Sequence, residues 1–287
     1  MYETKDSYNT IKIIFEDNYF ILYLYKNFLM KKTALILGGS SGIGLATAKI
    51  LAKNNWDLII VHRDRRANMP EIEKHFDEIR AYGAKLLTIN NNACDNKGQN
   101  EIISEIKSNN LNSINALVHS IADGNIGSFT LNTERKTDEY GLARTINAMG
   151  SSFVIWTQLL IENKFLSENG RILGFTSEGS SKVLNQYGAV GMAKATLEAA
   201  CRYLAVELAP KKITVNLLNP GVMLTNAIKV FPNVTKFVNK AIERNPSGRL
   251  TTPEDIAKVA EFILSDNAAW ITGEIIRVDG GEQLISI

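Results

Sequence analysis

With 287 residues, 45% of them apolar and 22% charged, the chain has the size and composition of a globular protein able to bury one substantial core, and a single domain is expected. The net charge of +2, with both signs interspersed, gives no electrostatic case for nucleic acid or a membrane as partner. Cys94 and Cys201 are far apart and outside any C-x-x-C pattern, which reads as a reducing, cytoplasmic compartment without a disulfide, and no metal is expected.

The first thirty residues differ in character from the rest. Tyr19 to Tyr25 is apolar and aromatic, yet Lys26 ends the run far short of the roughly 20 residues a spanning helix needs. A basic start and a small-residue cleavage site are both missing, so a secretory signal is not indicated. Met30 precedes KKTALILGGSSGIG and reads as a natural beginning, so residues 1–29 are expected to be an extension and residues 31–287 the folded domain.

Thr33 to Leu37 (TALIL) has the continuous apolar character of a buried parallel strand and runs into GGSSGIG and a helical pattern. Gly38, Gly42 and Gly44 give a G-x-x-x-G-x-G spacing, one residue longer in its first gap than the dinucleotide fingerprint. The physics is shared: without β-carbons, the backbone N–H groups of Gly38, Ser40, Ser41, Gly42, Ile43 and Gly44 can approach a pyrophosphate at a helix N-terminus. A glycine turn alone is weak evidence, and its place in a strand-turn-helix unit strengthens it. Asp57 to Val61 forms the second strand, ending in His62, Arg63, Asp64, Arg65 and Arg66. Guanidinium groups where an NAD enzyme places a carboxylate favour a 2′-phosphate, hence NADPH, with Arg63 the first contact and Arg66 the second. Asp64 leaves NADH open, and a solvated loop is the alternative reading.

A helix from about 70 to 82 and a strand from Lys85 to Asn90 follow. Asn92 and Ala93 then stand where an amide side chain and backbone can hold an adenine edge. A helix from about Gln99 to Ser108 leads to a fourth strand, Ala116 to Val118, ending in HSIADG. A long helix is predicted through TINAMGSSFVIWTQLLIEN, with Asn147 inside it, and a fifth strand at Arg171 to Phe175. The next helix carries Tyr187 and Lys194 seven residues apart, about two turns, so that both share a face. A free phenol has a pKa of about 10, and one beside a fixed ammonium can donate and recover a proton. Lys212 to Leu218 gives a sixth strand ending in NPGVMLT, Val230 to Glu243 a helical lid or loop near the substrate, GRLTTPEDIAKVAEFIL a helix, and Glu274 to Val278 a last strand. Strands alternating with helices predict an α/β fold: a single Rossmann-type doubly wound parallel sheet flanked by helices, with ligands at the carboxyl ends of the strands.

GGSSGIG, VHSIA, Asn147, Ser177, the Tyr187/Lys194 helix, NPGVMLT and the closing VDGG together resemble the short-chain dehydrogenase/reductase family, over about residues 31–287. Most members set tyrosine and lysine four residues apart. Here Val190 holds that tyrosine position and Gly191 follows Tyr187 by four. The seven-residue spacing resembles the enoyl-acyl-carrier-protein reductases, as does VHSIA, and NQYGAVGMAKATLEAACRYLAVELAP is similar to the variant found in some bacilli. Ser177 stands where the main bacterial enoyl reductases carry a second tyrosine, and Asn147 matches the ketone reducers. Leu37 replaces a threonine that often precedes the first glycine.

The resemblance implies NADPH lying over Gly38 to Gly44, its nicotinamide between Ser120–Ile121 and Pro220, Gly221 and Val222, with Thr225 on the carboxamide. It further implies Tyr187 as the donor to an enolate oxyanion, Lys194 on the nicotinamide ribose, Ser177 as second donor or spectator, and Asn147 anchoring a water chain to Lys194. The substrate implied is an α,β-unsaturated acyl thioester, carried on acyl carrier protein or coenzyme A, and the assembly a homotetramer. The competing expectations are a ketone reductase of the same fold and a cofactor-binding protein without catalysis.

Overall fold

The computed structural model describes residues 31–111, 113–130, 135–224 and 234–285. The chain divides into two compact units, Met1–Lys32 and Thr33–Ile287, and every element named below belongs to the second. The expected extension, Thr225, and the stretch from 230 to 233 lie outside the described residues.

Seven strands form one parallel sheet in the order β3-β2-β1-β4-β5-β6-β7: β1 (Thr33–Leu37), β2 (Asp57–His62), β3 (Leu86–Asn90), β4 (Ile114–His119), β5 (Leu166–Phe175), β6 (Thr214–Pro220) and β7 (Ile275–Val278). The expected doubly wound α/β sheet is therefore present. Strand order reverses at β1, whose Leu37 pairs with Val61 on one side and His119 on the other. In such sheets the crevice beyond the carboxyl ends at this reversal receives the ligand.

Both faces of the sheet are covered, which is why its strands read as unbroken apolar runs rather than alternations. Leu35, Leu37, Ile59, Phe153, Trp156 and Leu197 belong to one core layer. Ala34, Ile36, Ile60, Phe76, Val118 and Ile263 belong to the other. Helices α1 (Gly42–Lys53), α2 (Met69–Ala81), α3 (Asn96–Ser108), α4 (Glu139–Ile146), α5 (Ser152–Glu162), α6 (Gly188–Leu208), α7 (Val234–Arg244) and α8 (Pro253–Leu264) complete the described unit. No helix among the described residues is long and apolar enough to cross a membrane.

Three departures from the sequence reading have local causes. Helix α3 begins at Asn96 rather than near Gln99 because Asp95 caps it, accepting from the Gly98 N–H at 2.7 Å. The single long helix around Asn147 is two helices joined by a π-helical turn, Asn147–Ser151, with α4 starting early behind the Asp138 cap. Strand β5 starts at Leu166, and its register against β4 shifts between Ile114 and Ala116, so only its regular half was legible as Arg171 to Phe175.

Helix α8, which packs on α1, carries a reciprocal cap: Thr252 accepts from the Asp255 N–H, and Asp255 from the Thr252 N–H at 2.9 Å. Thr252→Ala is expected to cost about 1 kcal/mol in urea denaturation. The Arg249 guanidinium and the Thr252 N–H hold the Asp255 carboxyl down at about 2. Its folded value lies below the unfolded value of about 3.9, so the cap contributes fully above about pH 4 and is lost as pH falls toward about 2.

Candidate active site

One cleft of about 880 Å³ opens along the strand ends and gathers residues from almost every loop there. Of the residues singled out from sequence, Gly38, Ser40, Ser41, Gly42, Ile43, Arg63, Asn92, Ala93, Ser120, Ile121, Ser177, Tyr187, Lys194, Pro220, Gly221 and Val222 line it. Gly44 and Asn147 do not line it, and Arg66 sits in an exposed helical turn beyond the end of β2.

The glycine turn is held by backbone. Gly38 adopts φ +86°, open to glycine, and its N–H donates to the Val61 carbonyl at 2.8 Å. Gly44 lies behind the turn, where a methyl group would sit 2.1 Å from the Gly38 carbonyl oxygen. Ser41 is the N-cap of α1 in extended backbone, and its side chain makes no capping hydrogen bond. The helix thus presents its first N–H groups to the cleft without a side-chain cap; α2, α5 and α6 also lack one at their own starts, whereas α3, α4 and α8 are capped. That donor set fits a dinucleotide pyrophosphate.

Arg63 points across the cleft mouth and pairs with Asp123 at 2.8 Å, and Arg144 of α4 reaches the other oxygen of the same carboxylate. Burial raises the Asp123 carboxyl, but the two arginines outweigh it and hold the group below its ordinary value. The Asp64 carboxylate lies within hydrogen-bond distance of His62 Nδ1, at 2.9 Å. The Asn92 amide turns into its own loop, donating to Asp95 and accepting from the Cys94 N–H, and the Ala93 carbonyl accepts from Trp156 Nε1 at 2.8 Å and from Gln99. The adenine edge they were expected to hold would share these groups with the loop.

At the other end of the cleft, Tyr187 is the N-cap residue of α6 and not a residue of its first turn. Its hydroxyl lies 3.3 Å from Ser177 Oγ. Lys194, buried in the second turn, donates to the Phe175 carbonyl at 2.6 Å. Burial pushes the Lys194 ammonium down to about 8, while Glu198 one turn on opposes the fall. Burial raises the Tyr187 phenol, with the Ser177 hydrogen bond working against it and the Glu178 charge adding to it. A phenol made acidic by the lysine was the expectation, whereas burial, the largest influence on it, raises it. His119, fully buried against Ser152 Oγ at 2.7 Å, is pushed down to about 3 by burial and by the Lys194 charge, so it is neutral.

Asn147 was expected to anchor a water chain to Lys194, and its described hydrogen bond goes elsewhere. Its amide donates to the Cys94 carbonyl at 2.8 Å, tying the π-helical turn to the loop after β3. A lysine four residues after Tyr187 would be crowded, since a side chain at Gly191 would start 2.5 Å from the Gly179 carbonyl oxygen. Sequence reasoning missed Asp123, Glu178, Glu282 and Phe237, all of which line the cleft. Charged residues next to motif residues, Glu178 after Ser177 above all, were the available signal. Among the described residues no group of His, Cys, Asp and Glu is placed to hold a metal ion.

A doubly wound sheet, an uncapped glycine turn and a Ser-Tyr-Lys set at the strand ends define an oxidoreductase of the short-chain dehydrogenase/reductase class. The model of the family described as Enoyl-(Acyl carrier protein) reductase matches residues 38–283, and the chain belongs to that family. The enoyl-acyl-carrier-protein reductase (NADPH) of Staphylococcus aureus is 29% identical over 90% of this chain and 98% of its own length. The versicolorin reductase of Emericella nidulans is 28% identical over 87% and 95%. Among solved structures, the enoyl-acyl-carrier-protein reductase (NADH) of Aquifex aeolicus superposes with a TM-score of 0.76 at 26% identity, covering 90% of this chain and 99% of its own.

Proposed function

We propose that the chain reduces the carbon–carbon double bond of an α,β-unsaturated acyl thioester, on acyl carrier protein or coenzyme A, with NADPH as reductant. The observation that carries this reading is the seven-residue Tyr187/Lys194 pair lining one cleft, with buried Val190 where a ketone reducer's tyrosine would stand. The family model and the Staphylococcus aureus relative support it.

The nicotinamide, when bound, supplies a hydride to the β-carbon of the substrate. In this reading the α1 N-terminal amides and the turn from Gly38 to Gly44 bind the pyrophosphate, and Arg63 exchanges Asp123 for the 2′-phosphate. Asn92 and Ala93 border the adenine. Ser120, Ile121, Pro220, Gly221 and Val222 border the nicotinamide, with Thr225 on its carboxamide. An ammonium has three donors, and with one on Phe175, Lys194 has two for the ribose hydroxyls. Tyr187 donates to the thioester carbonyl oxygen as it becomes an enolate, a charge present only as reaction proceeds and so stabilised selectively. Ser177 steadies the phenol or donates beside it, and Asn147 supports the wall through Cys94. A homotetramer in the cytoplasm belongs to the same proposal, with size-exclusion chromatography coupled to light scattering as its check.

Ketone reduction is the second reading, favoured by the Ser177–Tyr187 contact and by the versicolorin reductase relative. Oxidation of NADPH with a crotonyl thioester but not with an acetoacetyl thioester supports double-bond reduction, and the opposite pattern overturns it. Arg63→Gln is expected to weaken NADPH binding by about tenfold with NADH affinity little changed, as loss of a charge-assisted hydrogen bond dictates. Equal losses for both nucleotides in a fluorescence titration would remove Arg63 from the 2′-phosphate.

A further inference from the structure

Arg244 ends α7, and its guanidinium meets two carboxylates from distant parts of the chain. It donates to Glu178 Oε1 at 2.6 Å and pairs with Glu282 Oε1 as well. The Glu178 and Glu282 side chains are 8% and 1% exposed, so both charges are withdrawn from water. Their second oxygens are also engaged, Glu178 with Lys182 Nζ at 3.3 Å and Glu282 with the Val222 N–H at 2.9 Å. Both carboxylates line the cleft.

An ion pair that merely fastens a helix needs one carboxylate, placed anywhere along it. Here one of the two follows Ser177 directly in the chain, and its charge acts on the Tyr187 phenol. Left with only the exposed Lys182 ammonium at 3.3 Å as counter-charge, a buried carboxylate at that place opposes the negative charge that develops on the substrate oxygen during reduction. The penalty would fall on the transition state more than on binding.

We propose that Arg244 is a positioning residue for the reduction: held in place by Glu282, it neutralises Glu178 beside the Ser177–Tyr187 pair. The inference rests on the reading of Tyr187 as donor to the substrate. It assigns to a residue outside the cofactor and substrate contacts a control over turnover.

Three variants of the full chain test it: Arg244→Gln, Arg244→Lys, and Arg244→Gln combined with Glu178→Gln. Arg244→Gln is expected to lower kcat by about tenfold or more, with KM for the acyl thioester and Kd for NADPH within about threefold. Arg244→Lys, which keeps the charge, is expected to retain more than about a third of kcat, and the double variant, which removes the charge beside Tyr187 while Glu282 keeps only its bond from the Val222 N–H, to recover at least about threefold in kcat over Arg244→Gln. Wild-type kcat in Arg244→Gln overturns the proposal, and so does a double variant that is as slow as Arg244→Gln or fails to fold. Should Arg244→Gln itself not fold, Arg244→Lys and the double variant still decide by the same limits. Tyr187→Phe, assayed alongside, tests the donor assignment separately: turnover retained there refutes that assignment, whereas the Arg244 series with Tyr187→Phe inactive judges Arg244 alone.

Discussion

Tyr187→Phe is expected to leave NADPH affinity unchanged and to reduce kcat with an enoyl thioester by about two orders of magnitude, the loss that accompanies removal of one oxyanion donor. The phenol is positioned by packing: its ring lies against the cluster of Ala148, Met149, Val190 and Ala193, which a phenylalanine preserves. The hydroxyl is removed, and its contact with Ser177 with it, while the ring packing is kept, so the variant should melt within a degree or two of the parent. Lys194 keeps its bond to Phe175 in the variant, which is why nucleotide binding should survive. Steady-state kinetics paired with a fluorescence titration of NADPH separates the two quantities. A variant with parental kcat would show that another group, Ser177 first, donates to the substrate.

The parts of the site that were legible in sequence are those where local chemistry dictates geometry. Thr33–Leu37 reads as a buried strand because both its faces are covered, and the glycines after it read as a turn because only missing β-carbons permit that approach. Tyr187 and Lys194 were visible as a pair because a helix converts spacing into direction, although the phenol in fact stands at the helix entrance. Contacts made across the fold were not legible. Arg63 read as a free phosphate ligand, and only the three-dimensional arrangement brings Asp123 and Arg144 to it from the β4 loop and α4. The same holds for Asn147, whose partner is a backbone carbonyl 53 residues earlier, and for the Glu178–Arg244–Glu282 set, which joins residues 38 to 66 positions apart. Backbone acceptors carry no side-chain signature, and a charged residue in a sequence looks the same whether solvated or paired.

Gly44→Ala is expected to be among the most damaging single methyl groups in the domain, lowering stability by about 3 kcal/mol or more and NADPH affinity by at least about a hundredfold. The added carbon would start 2.1 Å from the Gly38 carbonyl oxygen and 3.1 Å from Ser120 Oγ. A side-chain tip at that distance can rotate away, but the Gly38 carbonyl belongs to backbone that cannot. Its N–H is tied to Val61 on β2, and Ser120 N–H to Leu37 on β1, each at 2.8 Å. Relief therefore has to come from α1 moving outward, which carries the uncapped amides of Ser41 to Ile43 away from the place where the pyrophosphate would sit. Stability and nucleotide binding should fall together because one displacement causes both. For a domain of this size the loss corresponds to a drop of about 6–12 °C in Tm. Gly83→Ala supplies the comparison: that glycine has φ +78° with no atom within 4 Å of the added carbon, so its cost of about 1 kcal/mol is backbone strain alone and NADPH affinity should not change. If Gly44→Ala melted like Gly83→Ala and bound NADPH normally, the turn would have room it does not show, and the pyrophosphate would have to be held elsewhere along the cleft.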